Sequence, residues 1–164
     1  MIVKVLILNP LWMIVGVGSL VVFVGKAINS AFKKKKIFIS YYYGKDRAFK
    51  RLLNAWSKNE KFDIDFEDTS ADVSLDTSTD EELEYELTKR IKNSDIVLVL
   101  IGDHTHLREW VKYEIKEAVR LQKTIVAVKH TKSSKSPTEL KGVGAHWVYG
   151  FRAKKVSDAI KNCV

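Results

Sequence analysis

The chain has 164 residues, 46% of them hydrophobic, with 28 lysines and arginines against 20 aspartates and glutamates and a formal net charge of +8. Residues 1–36 hold six of those lysines and no acid, so residues 37–164 are close to neutral, which excludes the broad basic surface that nucleic-acid binding needs. The 128 residues from position 37 onward suit one domain rather than a multidomain enzyme, and the single cysteine, Cys163, excludes an intrachain disulfide and a cysteine-ligated zinc site.

Residues 5–25 contain no charged side chain. As a helix they would span about 31 Å, against a bilayer core of about 30 Å, and so predict one membrane crossing. Pro10 offers an alternative first helical residue for a shorter span over residues 11–25. An export signal carries its charge ahead of the apolar run, whereas here only Lys4 precedes it and Lys26 and residues 33–36 follow. The positive-inside rule then predicts a single-pass membrane protein with its N-terminus outside and its soluble domain cytoplasmic. The expected organisation is a transmembrane helix within residues 1–25, a basic juxtamembrane linker over 26–36 and an α/β domain over 37–164.

Residues 37–41 (Ile-Phe-Ile-Ser-Tyr) predict a strand, and Asp46 is the expected N-cap of a helix whose apolar face holds Phe49, Leu52, Leu53 and Trp56. Residues 62–66 alternate apolar and acidic side chains, the pattern of a half-buried strand near a sheet edge. A polar loop over 67–79 follows, with Asp80 the expected cap of a helix carrying Leu83, Leu87 and Ile91 on one stripe. Residues 96–101 are continuously apolar and end at Gly102, as expected of a central parallel strand covered on both faces. A helix is expected over about 107–121, with Trp110, Val111, Ile115, Ala118 and Val119 turned inward. Strands at 124–128 and 146–149 and a last helix over about 154–161 complete the domain. Strand and helix alternating in this way imply a parallel sheet with helices on both sides, and such sheets bind ligands beyond the carboxyl ends of their strands.

Three segments together resemble a known family: Phe38-Ile39-Ser40-Tyr41-Tyr42-Tyr43 with Asp46, Val97 to Gly102 with Thr105, and Arg108-Glu109-Trp110-Val111-Lys112-Tyr113-Glu114-Ile115. They are similar to the TIR superfamily, and within it to the TIR-like branch that includes ThsB of the bacterial Thoeris anti-phage system. The resemblance runs from about Lys36 to about Val128 and rests on the Trp-x-x-x-Glu-Ile element following the Gly-x-x-Thr turn. It implies a flavodoxin-like fold and, in enzymatic members, cleavage of NAD+ at the nicotinamide–ribose bond. NAD+ is there a substrate, with no cofactor. The product is an ADP-ribose-derived signal, cyclic or conjugated, that activates a separate effector, and the family's catalytic glutamate falls on Glu114. Homo-oligomers built through contacts between TIR domains are also implied.

Breaking that bond develops positive charge on the ribose, which a fixed carboxylate stabilises. Spacing alone reads Glu114 as a solvent-facing residue paired with Lys112, Lys116 or Arg120; the resemblance puts catalysis ahead. Trp110, one turn earlier, would stand beside it. Substrate contacts are expected from the strand ends: Ser40, Tyr41, Tyr42 and Asp46 after the first strand, Asp68 after the second, and His104 and Thr105 after the third. His104 and His106 have no further histidine or cysteine cluster to support a metal, so polar loop contacts are expected instead. Residues 60–86 hold twelve acids against Lys61 alone, an acidic stretch suited to meeting a basic surface such as that around Arg152, Lys154 and Lys155.

Overall fold

The computed structural model describes residues 34–59, 66–70 and 79–163. Its elements in chain order are β1 (Lys35–Ser40), α1 (Tyr43–Ser57), β2 (Phe66–Asp68), α2 (Asp80–Lys92), β3 (Ile96–Ile101), α3 (Glu109–Arg120), β4 (Thr124–Lys129), β5 (His146–Tyr149) and α4 (Ala153–Asn162), with single 3-10 turns at Thr105–Leu107 and Thr138–Leu140. The membrane crossing expected over residues 5–25 lies outside the described residues. Among those that are described, no helix is long and apolar enough to cross a membrane.

The five strands form one parallel sheet in the order β2-β1-β3-β4-β5. This is the flavodoxin-like order, in which the chain runs outward in one direction to β2 and then in the other through β3, β4 and β5. Every side chain of β3 is buried, the consequence of being covered on both faces. One face carries Ile37, Ile39, Leu98, Leu100, Val126 and Val128 against Leu53 and Trp56 of α1 and Val156 and Ile160 of α4. The other carries Phe38, Val97, Val99, Ile125 and Ala127 against Leu83, Leu87 and Ile91 of α2 and Val111, Ile115 and Ala118 of α3.

Several local expectations change. Helix α1 begins at Tyr43, with Tyr42 as its N-cap residue, so Asp46 is a helical residue and not the cap. It is drawn inside because its carboxylate meets a buried hydroxyl from a distant loop. Helix α2 is capped by Thr79 rather than Asp80: the Thr79 hydroxyl accepts from the Glu82 amide at 3.3 Å, and the Glu82 carboxylate accepts from the Thr79 amide at 3.1 Å. Leu52 and Val119 are exposed, 43% and 42%, because the buried stripes run through Leu53 and Ala118 and leave these neighbours on the outer flank. The helix expected from 107 becomes a 3-10 turn followed by α3.

Strand β2 covers Phe66–Asp68, so Glu67 and Asp68 belong to the edge strand and not to the loop expected from 67 onward. Residues 62–65 of the predicted strand fall outside the described residues. Strand β1 starts at Lys35, two residues inside the expected linker. The Lys35 ammonium donates to the Ile160 carbonyl at 2.6 Å, tying the first strand to the last helix, and the Lys36 amide donates to Asp95 Oδ2 at 2.8 Å.

Candidate active site

The order reverses between β1 and β3, so the segments leaving their carboxyl ends face one another across the crevice where open parallel sheets receive ligands. Ser40 ends β1. Alternation along the strand turns Ile37 and Ile39 toward α1 and α4 and places Phe38 and Ser40 on the side covered by α3. On α3, Val111, Ile115 and Ala118 form the buried stripe, and Glu114, three residues after Val111 and four before Ala118, lies on that same side of the helix.

Ser40 and Glu114 meet: Ser40 Oγ donates to Glu114 Oε2 at 2.5 Å. The glutamate is partly accessible, yet protein packed around it raises its carboxyl from 4.5 to about 8, against the lowering effect of the Ser40 hydrogen bond and the positive Lys50. The alternative of a solvent ion pair does not hold. Arg120 pairs with Glu117 instead, and Lys112 pairs with Glu109 at 2.7 Å.

Lys50 and Asn54 form a second group that spacing did not single out as a site. Lys50, 6% exposed, donates from Nζ to the Ser70 carbonyl at 2.7 Å. Its ammonium also stands 3.8 Å from Asp68 Oδ2 and 5.0 Å from the centre of the Tyr41 ring. Asp68 Oδ2 accepts from Asn54 Nδ2 at 2.8 Å, and Asp68 Oδ1 accepts from the Ser70 amide and hydroxyl at 2.8 and 2.5 Å. The end of β2 is thus fastened to α1, with a cation held close enough to act on Glu114. A signal for Lys50 was present in the sequence: it sits one turn after Asp46 and one before Leu53, on the buried face of an amphipathic helix.

Asp46 and Thr105 face each other inside the fold rather than the crevice. Thr105, fully buried, donates from its hydroxyl to Asp46 Oδ2 at 2.7 Å and accepts from the Gly102 amide at 2.8 Å. A Cβ at position 102 would collide with the Asp46 carboxylate, so the Gly-x-x-Thr turn needs its glycine for close approach. Burial raises the Asp46 carboxyl, while the Thr105 hydroxyl, the Tyr42 backbone and His130 favour its charged form. A small cavity lies alongside, lined by Asp46, Phe49, Gly102, His130 and Phe151 among others.

The remaining expected contacts spread around the mouth. The Tyr42 ring lies under the Arg108 guanidinium, 3.8 Å from carbon to ring centre, and Tyr41 tilts against Tyr43. Trp110 is half-buried, packed on the α2/α3 core and edge-on to Tyr113 with ring centres 5.9 Å apart. His104 and His106 flank Thr105, and desolvation, with the neighbouring positive groups Lys135, His104 and Lys112 adding to it, lowers His106 below its usual value. Among the described residues no group of three histidine, cysteine or acidic side chains is placed to hold a metal ion.

Residues 38–135 match the family described as Thoeris protein ThsB, TIR-like domain. No curated protein matches the chain. Among solved structures, the CMP N-glycosidase BcmB of Clostridium botulinum is similar over 77% of this chain and 98% of its own, with 12% identity and a TM-score of 0.54. The 2-deoxyribosyltransferase of Bacillus psychrosaccharolyticus aligns over 75% of this chain and 90% of its own, with 14% identity and a TM-score of 0.49. The first of these likenesses is one of fold.

Proposed function

Because the chain belongs to the TIR-like domain family of the Thoeris protein ThsB, we propose that it is an enzyme that cleaves NAD+ at the nicotinamide–ribose bond. The observation that supports this reading is the Glu114 carboxyl, held by Ser40 at the end of β1 and enclosed by protein, yet not neutralised by an ion pair. In the reaction the bond from ribose C1′ to the nicotinamide nitrogen breaks and its electron pair leaves with nicotinamide, which becomes neutral. The positive charge that develops on the ribose is stabilised by the Glu114 carboxylate. Ser40 fixes the orientation of that carboxylate. A nucleophile from the same molecule then closes a cyclic ADP-ribose-derived product, losing its proton, whereas water would give ADP-ribose.

Glu114 must be ionised to act. A cationic nicotinamide ring and the Lys50 ammonium both favour that form. In this reading NAD+ is the substrate, no resident cofactor takes part, and the product serves anti-phage defence through a separate effector. The enzyme is anchored by the apolar segment at residues 5–25 and assembles through contacts between its TIR-like domains.

A non-catalytic scaffold at the membrane is the rival reading, in which the Ser40 bond only ties α3 to β1. That purpose does not need an acid: glutamine would accept the same hydrogen bond without the cost of ionising a buried carboxyl. The deciding experiment incubates the purified protein and its Glu114→Gln variant with NAD+, with and without lysate of infected cells, and resolves products by mass spectrometry. Nicotinamide release by the wild type, lost by orders of magnitude in the variant, is expected. Equal turnover by both, or none by either, puts the scaffold first.

A further inference from the structure

Two enclosed nitrogens beside the crevice, Arg108 Nε and His106 Nδ1, have no hydrogen-bond partner among the described residues. An arginine Nε–H is a donor at any physiological pH, so burying it without an acceptor is unfavourable unless a ligand supplies one. The charges around the pair point the same way. Lys135, His104 and Lys112 all act on His106 to disfavour its protonation. Two of the acids nearby are engaged elsewhere: Glu109 accepts from Lys112 at 2.7 Å and Glu139 accepts from the Thr138 hydroxyl at 3.2 Å, while Asp103 is exposed. Cationic and potentially cationic groups are therefore gathered here with donors still unmet. The Arg108 guanidinium is also held in place over the Tyr42 ring, its carbon 3.8 Å from the ring centre.

We propose that Arg108, His106 and Lys135 form an anion site for the diphosphate of a dinucleotide substrate, resting on the reading above for the identity of that substrate. A planar guanidinium fork suits phosphate oxygens, and a dianion relieves the mutual repulsion of the surrounding cations. The placement agrees with a single ligand. Arg108 stands immediately before α3, Glu114 lies about 7.5 Å along the axis from the helix's first residue, and Tyr42 follows Ser40 by two. A ribose at Glu114 would thus carry its 5′-phosphates toward Arg108.

The test uses the full chain in detergent, with inorganic pyrophosphate, ADP-ribose and the phosphate-free nicotinamide riboside as probes in titration calorimetry at low salt. Pyrophosphate and ADP-ribose are expected to bind the wild type and to lose on the order of tenfold to a hundredfold in affinity in Arg108→Gln. The exposed Lys135→Ala should weaken both more modestly, and it serves where the arginine variant does not fold. Riboside binding should stay unchanged, and the His106 ring resonances should report a raised titration midpoint when pyrophosphate is bound. Absence of pyrophosphate binding, or equal binding by wild type and Lys135→Ala, overturns the site. Pyrophosphate binding that depends on these residues, in a protein that turns over no NAD+, upholds the anion site while refuting the proposed reaction.

Discussion

Replacing Glu114 by glutamine should make the fold more stable, by an amount that grows with pH. In the native protein the carboxyl is raised from 4.5 to about 8, so between those values the folded chain holds a proton that the unfolded chain has released. Stability of the wild type must fall as pH rises through this window and level off above it. The shift corresponds to about 5 kcal/mol, and water reaching the partly open group reduces this to about 2–4 kcal/mol. Glutamine keeps the shape and can accept the hydrogen bond that Ser40 Oγ donates at 2.5 Å, but it has no proton to lose. Urea unfolding of wild type and variant, followed by tryptophan fluorescence, should give nearly equal stabilities near pH 4 and a clear advantage for Glu114→Gln near pH 8.5. A difference that does not vary with pH, or a variant less stable than the wild type at pH 8.5, would refute the argument that burial of this acid is costly. Activity should move the opposite way to stability, the signature of a group retained for chemistry.

The rate at low substrate should rise with pH as Glu114 ionises, and Lys50→Met, which removes a favourable cation, should move that rise to higher pH; a profile identical to wild type argues against electrostatic support from Lys50. Gly102→Ala should destabilise the domain by roughly 1–3 kcal/mol or more, read by thermal unfolding, because the new Cβ meets the Asp46 carboxylate and disturbs its bond to Thr105. Thr79→Ala should cost about 0.5–2 kcal/mol by loss of the α2 capping box. Protease added outside spheroplasts should spare the TIR-like domain, since the lysines that follow the apolar segment outweigh Lys4; digestion of the domain from outside reverses the proposed topology.

Wherever a local pattern suffices, the amino-acid sequence alone determined the answer. The unbroken apolar run of residues 96–101 marked the central strand because only a strand covered on both faces tolerates six such side chains in a row. Strand β5 fell at residues 146–149 as expected, and alternation of strand and helix implied the parallel α/β layers and the crevice at the strand ends. The segments that resemble the TIR-like family lie within residues 38–135, which match the ThsB TIR-like domain. Glu114 could be named, but spacing left open whether it faced solvent or the crevice. Only the tertiary structure decided that, because its partner Ser40 lies 74 residues away in the chain. The same holds for Asp46: one residue of helical sequence looks like a cap until a threonine 59 residues later presents its hydroxyl. Lys50 and Arg108 are charged, and charge on a helix or loop is ordinarily solvated. That Lys50 is buried and Arg108 half-buried follows from what β2 and Tyr42 place against them. Periodicity is a property of neighbours within a few residues, whereas desolvation and hydrogen bonding at this site arise between segments that meet only after the sheet has set their order.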